Sequence, residues 1–543
     1  TNLSKGRRTA VMALMMVLLG SIFMVSRASA ANPAPVMVFY LTEPENDMLP
    51  AMQVINSAAS SPMVTKISVT IRYDGTLVYY DHWENGFVND IANPTAGQTY
   101  ANPGNLGGVQ IWGNGLAADG CAPALQTGPI TCTNANDVLN SGDVIILEDN
   151  NVAVPNSASS IDWDGKDKVA ASRAIAVSRS LWASTSNSLF AWAIAMYPTS
   201  EWGQVYTAPV GCNTSNAGDM FEYTAFSITA AYDGTVIEVD PEGNGTWESQ
   251  VTLNEGETYF DSSSSGGGCA YVRQGGKVRS TDPAKPIQVV LVTGDIGSNY
   301  ASRDVNLFPD ASLSSSYLIP IGNDNGGDTR LYIYNPESTT LFVKCEKPSG
   351  SSVLTIASGA VDSTFEITND QAAHCYAVTD ATGTTPDPSR KFTGLATMDT
   401  NSSSRDWAAY FIPESGLSNE ALVGLGVGRD WTSGTNPNEN GSPVWVTPTC
   451  QTFFYVDWNN DGTADKVDFN GDNDVTDTNV NGLNETTSNN GFQVALLQSV
   501  RLFDASDRDQ TGAYIYTRTA ANNGGTGGCS FAAAWGEDPR TAS

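Results

Sequence analysis

The sequence has 543 residues, of which 41% are hydrophobic and 16% charged, and its formal net charge is −31 at pH 7. A surface this acidic repels nucleic acid and anionic membranes, so it argues against nucleic-acid binding and favours cation binding, salty surroundings or simple solubility. The 51 glycines, the many polar residues and the short apolar runs are typical of an all-β protein with long polar loops. No long stretch outside the N-terminal 30 residues has helical periodicity.

Residues 1–30 have the pattern of a secretory signal peptide. Lys5, Arg7 and Arg8 precede an apolar run, and Ala28-Ser-Ala30 supplies small residues for cleavage. An N-terminal membrane anchor is the alternative, although the apolar run is short for a bilayer span. Cleavage removes four basic residues and no acidic one, so the mature charge becomes −35. No other segment is apolar enough to cross a bilayer, and we expect a secreted or surface-displayed chain.

After residue 30 the chain reads as four copies of one sheet-rich unit. The hairpin pattern Tyr-Asp-Gly-Thr occurs at 73–76 and 232–235, and its counterparts lie at 335–340 and 461–463. Such repeats predict one structural unit per copy, with insertions in loops. We predict one all-β head domain over 31–543, with an acidic insertion at 457–479. Its copies extend approximately over 36–182, 190–295, 303–399 and 405–538.

The two ends of this domain resemble two halves of one junction. Residues 36–44 match the apolar strand 191–198. In the other copies, such a strand follows the final strand of the copy before it. The last copy ends on a final strand of that kind, at residues 530–535. Pairing of the two ends would close the units into a β-propeller-like ring and remove an exposed sheet edge. Tandem β-sandwiches are the alternative architecture.

The cysteines support both an oxidising compartment and the repeat. An exported chain with an even number of cysteines is expected to form disulfides. The equivalent segments Cys269-Ala-Tyr-Val and Cys375-Tyr-Ala-Val indicate one pair for each copy. A metal site built from these cysteines is disfavoured, because no Cys-x-x-Cys occurs. The expected pairs are Cys121 with Cys132, Cys212 with Cys269, Cys345 with Cys375, and Cys450 with Cys529.

Residues 457–468 have the ligand spacing of a Ca²⁺ loop. Such a loop places oxygen ligands at positions 1, 3, 5, 7, 9 and 12, and a glycine at position 6, here Gly462, permits the sharp turn. Position 12 is Asp rather than Glu, as in the loops of dockerins, and the flanks do not look helical. We therefore predict the loop but no EF-hand. The predicted ligands are Asp457, Asn459, Asp461, Thr463, Asp465 and Asp468.

A second Asp-rich run overlaps the first and resembles thrombospondin type 3 repeats. It adds the predicted ligands Asn470, Asp472, Asp474 and Asp477. A plain acidic hairpin turn is the alternative, since Asp-Gly-Thr also occurs at 74–76 and 233–235 without the ligand set. Mg²⁺ is less favoured because it demands tighter octahedral geometry. The spacing in 162–167 is incomplete, and a solvated turn is expected there.

A stretch of aromatic and acidic residues follows the first hairpin. Aromatic faces beside polar groups suit sugar stacking or a protein contact. The favoured alternative is a strand whose aromatic side chains fill the core, with the carboxylates at a turn. The candidate ligand-binding residues are Tyr80, Asp81, His82, Trp83 and Glu84.

Catalysis has little support in the sequence. His82 and His374 are the two histidines, and neither lies in a metalloprotease or hydrolase motif. The abundant carboxylates leave a glycosidase pair open, but no particular pair is indicated. No phosphate-binding glycine loop is present. We therefore expect a protein that is not an enzyme.

The second copy resembles the repeat of the IgGFc-binding protein N-terminal family. The resemblance rests on Pro198-Thr-Ser-Glu-Trp-Gly203, Ala231-Tyr-Asp-Gly-Thr235 and Gly275-Gly-Lys-Val-Arg-Ser280, and covers roughly 190–300. The first copy, with Val78 to Gly86, is similar to N-terminal regions of large bacterial surface proteins, in which tandem Ig-like repeats follow. The resemblance implies an extracellular, non-enzymatic binding or adhesion role. It does not imply immunoglobulin binding, because no ligand residues map onto this sequence.

These observations predict a Ca²⁺-stabilised adhesion or binding domain of a secreted or cell-surface protein. The expected partner is an extracellular protein or glycan, and further surface-protein modules are expected to follow. A carbohydrate-active enzyme and a structural coat component are the alternatives.

Overall fold

The computed structural model describes residues 32–100, 107–125, 132–183, 193–215, 217, 220–262, 269–297, 302–322, 329–398, 407–426 and 442–536. The predicted signal peptide at 1–30 lies outside these residues. The described chain is built from antiparallel sheets, so the predicted all-β class is confirmed. Within the same residues, no helix has the length and apolar character of a membrane span.

The first unit is a pair of four-stranded sheets. Its strands are β1 (Met37–Tyr40), β2 (Met63–Ile71), β3 (Val78–Asp81), β4 (Gln110–Trp112), β5 (Val144–Val152), β6 (Lys168–Ala171), β7 (Ile175–Ala183) and β8 (Ala193–Ala195). One sheet has the order β1-β6-β3-β4 and the other β5-β2-β7-β8. Phe39 and Tyr80 of the first sheet share a buried core with Ile67 and Val177 of the second, so the two sheets form a sandwich.

The second unit repeats this arrangement. Its strands are β9 (Val205–Thr207), β10 (Tyr223–Ala230), β11 (Thr235–Asp240), β12 (Ser249–Leu253), β13 (Thr258–Asp261), β14 (Lys277–Ser280), β15 (Ile287–Gly294) and β16 (Ser302–Asn306). The sheet orders are β13-β10-β15-β16 and β12-β11-β14-β9. Phe226 and Val289 of one sheet pack with Ile237 and Val278 of the other.

The third unit has two five-stranded sheets and the fourth has smaller ones. The third contains β17 (Ser316–Ile319), β18 (Thr329–Tyr334), β19 (Leu341–Lys347), β20 (Gly350–Ile356), β21 (Val361–Asp362), β22 (Glu366–Ile367), β23 (Ala373–Val378), β24 (Thr393–Met398), β25 (Trp407–Tyr410) and β26 (Ile412–Pro413). The fourth contains β27 (Glu420–Leu422), β28 (Val444–Pro448), β29 (Thr452–Asp457), β30 (Phe492–Val494), β31 (Val500–Leu502), β32 (Tyr514–Arg518) and β33 (Phe531–Trp535). The third unit's sheets run β20-β19-β23-β17-β26 and β21-β18-β24-β25, with β22 also paired to β18, and the fourth unit's run β27-β32-β29-β30 and β31-β28-β33.

The central strands of the second unit are buried on both faces. In β10, Tyr223 and Ala225 pack into the core of the first unit, whereas Phe226 and Ile228 pack into the core of their own unit. Side chains alternate between the two faces of a strand, so this division follows the period of two. The same division explains why β15 is buried along its whole length and contains the unbroken apolar run 289–292.

The units are joined by strands that cross from one copy to the next. Each of β8, β16 and β25 pairs with the last long strand of the preceding copy, respectively β7, β15 and β24. The apolar segment that opens a sequence copy therefore completes a sheet of the copy before it.

The two ends of the domain do not pair with each other. β1 pairs with β6 (Met37 opposite Ala171), and β33 pairs with β28 (Phe531 opposite Pro448). Phe39 is held in the core of its own sandwich, which explains why β1 stays in the first unit. The expected pairing of the termini is thus wrong. Within the described residues the strands form no closed barrel or propeller, and the paired sheets are consistent with the alternative, tandem β-sandwiches.

The first and fourth units are nevertheless in contact. Ser68 and Thr70 of β2 donate hydrogen bonds to the carbonyl oxygen of Gly424, with a distance of 3.3 Å from the Thr70 hydroxyl. Gly424 lies so close to Ser178 that a Cβ added to it would be 2.4 Å from the serine hydroxyl oxygen. The contact therefore requires the absence of a side chain at Gly424.

The four disulfides join the pairs that the sequence predicts. Each pair lies within one unit, and 11, 57, 30 and 79 residues separate the partners in chain order. Closing a loop in this way lowers the conformational entropy of the unfolded chain. The structure thus confirms Cys121–Cys132, Cys212–Cys269, Cys345–Cys375 and Cys450–Cys529 as disulfides.

One α-helix interrupts the described sheets. Helix α1 (Glu45–Ile55) follows β1 and buries Met48, Met52 and Ile55 in the first core. Pro50 lies inside the helix, and this residue normally argues against a helix in a sequence. The 3₁₀ helices are Trp83–Asn85, Pro123–Leu125, Thr199–Glu201, Asp310–Ser312, Glu414–Gly416 and Glu485–Asn490.

Candidate functional site

The first acidic loop begins at Asp457, the last residue of β29, and wraps around its carboxylate. This buried carboxylate accepts hydrogen bonds from the backbone N–H groups of Asp461 (2.9 Å) and Gly462 (2.7 Å). Gly462 has a φ of +91°, which L side chains rarely adopt, so the turn requires glycine. The backbone of the loop is thereby held around the Asp457 carboxylate.

Further hydrogen bonds orient the other predicted ligands of this loop. Asn459 accepts a bond from the N–H group of Asp461 (3.1 Å), Asp461 accepts one from Thr463 (2.8 Å), and Asp465 accepts one from Trp458 (2.9 Å). A carboxylate has about four lone-pair sites, so these bonds fix the side chains and leave acceptor capacity for a cation.

The second acidic loop is organised by Asp468, whose side chain is fully buried. It accepts hydrogen bonds from the backbone N–H groups of Asn470 (2.9 Å), Gly471 (2.6 Å) and Asn473 (2.8 Å). The Asn470 amide group donates to Asp472 (3.3 Å) and Asp477 (2.9 Å). Four of the predicted oxygen ligands are therefore connected in one short segment.

Glu485 also belongs to the second loop, although the sequence spacing does not reveal it. Its fully buried carboxylate accepts hydrogen bonds from the N–H groups of Phe469 (2.8 Å) and Asp477 (3.2 Å). Burial, together with the nearby Asp468 carboxylate, raises the pKa of Glu485 to about 7. Burial also raises the pKa of Asp468 to about 6, against the effect of its hydrogen bonds. The second loop thus holds two buried acids close together.

The closest groups of three metal-ligating side chains in the described residues lie elsewhere. They are His82, Glu84 and Asp167, and Glu84, Asp162 and Asp164, each with ligand atoms within 4.8 Å of one another. No group of three His, Cys, Asp or Glu side chains that is this compact includes a predicted loop ligand, within the same described residues. The loop carboxylates would have to approach one another to share a cation.

The aromatic and acidic stretch does not form an exposed ligand site. Tyr80, Asp81 and His82 are fully buried, and Glu84 is 8% exposed. The Asp167 carboxylate accepts a hydrogen bond from the Tyr80 hydroxyl group at 2.7 Å and lies 3.1 Å from His82 Nδ1. The same carboxylate accepts a hydrogen bond from the backbone N–H group of Trp83 at 3.1 Å. The burial of Tyr80, Asp81 and His82 fits the core interpretation of the stretch, and ligand binding by this stretch stays a prediction.

A cleft of about 870 Å³ lies between the first and fourth units. The first unit contributes the edge of β5, and the fourth contributes the acidic loops and the segment before β32. Its lining residues carry five carboxylates and one ammonium group, Asp465, Asp474, Asp504, Asp507, Asp509 and Lys466. The cleft therefore has a strongly negative surface.

Close backbone contacts hold the two walls of this cleft together. A Cβ added to Gly142 would be 2.5 Å from the Asn459 carbonyl oxygen, and one added to Gly512 would be 2.7 Å from a Val144 methyl group. Near this contact, the Arg72 guanidinium lies 3.9 Å from the centre of the Tyr514 ring and 3.8 Å from the Glu420 carboxylate. Both walls are thus fixed by contacts between the two units.

The acidic segment of the cleft was not singled out by its sequence. Asp504 accepts hydrogen bonds from the N–H and hydroxyl groups of Ser506 at 2.7 and 2.6 Å. Burial, together with the neighbouring Asp507, raises the pKa of Asp504 to about 6. Asp504, Asp507 and Asp509 are visible in the sequence, but their position beside the two acidic loops depends on the fold.

Comparison with known proteins gives one family match, and the matched residues end before the acidic loops. No curated protein and no solved structure matches the chain. One family model does match a segment of the chain. This segment extends from just before β5 to just after β22, and covers the end of the first unit, the second unit and much of the third. The model is described as IgGFc binding protein, and it matches residues 134–368 of this chain.

Proposed function

We propose that this chain is an extracellular, non-enzymatic binding protein of adhesion type, and that the cleft between its first and fourth units binds a positively charged segment of an extracellular protein. The observation that supports this proposal is the lining of the cleft. Five aspartates and one lysine lie on a concave surface that two units form. Opposite charges across an interface increase the association rate and select partners.

The family match and the disulfides support the class of function. The description of the matching family refers to the Fc part of IgG, a protein ligand. Four disulfides are typical of proteins in oxidising, extracellular surroundings. Glycan binding has no comparable support, and the chosen ligand class is protein.

The rigid arrangement of the four units suits a binding scaffold. The contact of Gly424 with Thr70 and Ser178 joins the fourth unit to the first. Strand exchange joins the other neighbours. In this proposal the four sandwiches form a closed arrangement that holds the two walls of the cleft at a fixed distance.

Ca²⁺ is proposed to stabilise the acidic loops beside the cleft. Asp465 and Asp474 belong both to the predicted ligand set and to the cleft lining. The buried acids Asp468 and Glu485 fit a cation, because a divalent ion would offset the electrostatic cost of holding two carboxylates in one place. A bound ion would also order the loops that form one wall.

Binding to an array of extracellular proteins tests the proposal. The array includes IgG and its Fc fragment as well as proteins with basic surface segments, and a glycan array and chromogenic glycosides are tested in parallel. We expect salt-sensitive binding to proteins with basic segments. Turnover of a glycoside, or binding to glycans without protein binding, would contradict the proposal.

A pair of matched variants separates the cleft from general charge. Asp507→Asn with Asp509→Asn neutralises two cleft carboxylates that each accept a backbone hydrogen bond. Asp380→Asn with Asp387→Asn neutralises two carboxylates with the same type of bond in the third unit. Only the first pair is expected to weaken binding.

A further inference from the structure

The first unit contains an acidic cluster that is separate from the loops beside the cleft. It forms where residues 162–167, which precede β6, pack against the 3₁₀ helix Trp83–Asn85. Glu84 belongs to both compact groups of ligating side chains, one with Asp162 and Asp164 and the other with His82 and Asp167. Two segments that are distant in sequence thus bring their carboxylates to one point.

Glu84 has an unused acceptor at this point. Its Oε1 atom accepts a hydrogen bond from the backbone N–H of Asp162 at 3.1 Å. Its Oε2 atom is buried without a hydrogen-bond partner in the described chain, and the residue as a whole is only 8% exposed. Leaving a buried carboxylate oxygen unsatisfied is costly, so the arrangement favours a ligand that this oxygen can contact.

The other two carboxylates are held in place by their surroundings. Asp164 is fully buried and accepts hydrogen bonds from the indole N–H of Trp83 (3.0 Å) and from the side-chain amide of Asn156. Asp162 is partly exposed and accepts a bond from the Ser160 hydroxyl (3.2 Å). Partners of this kind orient metal ligands, and the exposed side of Asp162 gives an ion access from solvent.

The cations near the cluster contact other groups, and Lys166, which lies within the segment 162–167, is 4.7 Å from the centre of the Trp83 ring. Arg179 forms a buried ion pair with Glu45, and Lys168 lies 2.7 Å from Glu255. The cluster thus has an excess of buried negative charge, which a cation would balance.

We propose that Glu84, Asp162 and Asp164 bind one Ca²⁺ ion in the first unit. Three carboxylates form an all-oxygen site, which suits a hard divalent cation. Asp162 and Asp164 have the i, i+2 spacing of ligands in calcium loops, and Gly165 follows them. A softer transition metal would instead prefer the group that contains His82.

This site is independent of the proposed binding function and of the loops at 457–477. Its ligands lie next to β6, where Lys168 contacts Glu255 of the second unit. A bound ion would therefore fix the segment 162–167 and, through it, the junction between the first two units.

Calcium titration of the metal-free full chain tests the proposal. Isothermal titration calorimetry and native mass spectrometry compare the wild type with Asp162→Asn and Glu84→Gln, and Asp90→Asn serves as a charge-matched control. Asp90 is an exposed acid of the same unit outside both groups. Gln at position 84 retains the acceptor for the Asp162 N–H. We expect one site to weaken about tenfold or more in the first two variants, by analogy with losses around other metal sites, and to be unchanged in Asp90→Asn.

Parallel arms identify other outcomes. Asp461→Ala is expected to leave this site intact, which separates it from the acidic loops. Equal calcium stoichiometry and affinity in the wild type, Asp162→Asn and Glu84→Gln would overturn the proposal. Zn²⁺ binding that is lost in His82→Gln, with no calcium binding sensitive to Glu84, would also overturn it in favour of the His82 group.

Discussion

The hydroxyl group of Thr70 donates a hydrogen bond to the carbonyl oxygen of Gly424 at 3.3 Å, across 354 residues of sequence. Thr70 belongs to the first sandwich and Gly424 follows the first strand of the fourth. The bond joins the two units that form the walls of the acidic cleft. Exchanged strands join the other neighbouring units, whereas this contact depends on a close backbone approach.

Gly424→Val is expected to separate the first and fourth units. The new side chain would overlap the Ser178 hydroxyl, since a Cβ at this position already lies 2.4 Å from it. We expect a loss of about 1–3 kcal/mol in the free energy of unfolding, as for other overpacked contacts, and faster limited proteolysis. Gly416→Val is the control, because a Cβ at Gly416 meets no atom within 4 Å. Equal stability of the two variants would show that the contact does not hold the units together.

Glu255→Gln is expected to weaken the junction between the first and second units. The Glu255 carboxylate accepts hydrogen bonds from Lys168 at 2.7 Å and from the Tyr40 hydroxyl at 2.5 Å. The Lys168 side chain is 10% exposed, so it would lose its charge partner away from water. Chemical denaturation should show a loss of about 2 kcal/mol, typical for a hydrogen bond to a charged group.

A more exposed ion pair provides the comparison. The Lys66–Glu148 pair has side chains that are 27% and 38% exposed. Glu148→Gln should therefore cost less than about 1 kcal/mol, as surface pairs do. A double-mutant cycle with Lys168→Met that gives no coupling to Glu255 would contradict the role assigned to the junction pair.

Ionisation of the Asp310 carboxyl group is expected to lower the free energy of unfolding as the pH rises from about 4 to 6.5. Burial raises its pKa to about 6, although the Thr207 hydroxyl, at 2.8 Å, and Lys277 oppose this effect. The unfolded chain has a lower pKa, about 3.9. The folded state therefore binds the proton more tightly, and this stabilisation is complete at low pH and lost as pH passes through the folded pKa.

Asp310→Asn should remove this dependence. The variant keeps an acceptor for Thr207 and is expected to be more stable than the wild type at pH 7 by about 1–3 kcal/mol, from roughly 1.4 kcal/mol per pKa unit. Thermal unfolding across pH 4–7 measures the difference. Asp380→Asn should instead be less stable than the wild type at pH 7, because hydrogen bonds from Thr382 lower the pKa of Asp380. An unchanged pH profile in Asp310→Asn would refute this assignment.

Removal of calcium is expected to lower the melting temperature of the full chain. A ligand at 100 times its dissociation constant stabilises the folded state by about 2.7 kcal/mol. Asp461→Ala should reduce the effect of a chelator, since Asp461 is central to the first loop. In Asp74→Ala, which changes a similar turn without the ligand set, the chelator should act as in the wild type. Identical chelator effects in all three proteins would argue against calcium in the first loop.

Much of the architecture could be predicted from local patterns. Pairing the cysteines in chain order, one pair for each copy of the repeat, was sufficient to identify all four disulfides. The strand that opens each copy was also recognisable, and the structure places it beside the last long strand of the preceding copy.

Other features depend on contacts that no local pattern encodes. Helix α1 contains Pro50, and its stability comes from burial of Met48 and Met52 in a tertiary core. β1 remains in its own unit because Phe39 packs there. Glu485 reaches the second acidic loop, and Glu84 meets the loop at 162–167, only through the fold.

The affinity of the cleft variants for a basic protein ligand tests the central proposal most directly. The ligand is the strongest protein from the array, measured by biolayer interferometry against the wild type and the two double variants. We predict that Asp507→Asn with Asp509→Asn raises the Kd about tenfold or more, since loss of close interfacial charges costs at least about 1.5 kcal/mol, and that Asp380→Asn with Asp387→Asn leaves it unchanged. Equal Kd values for the three proteins would contradict a ligand site in the cleft.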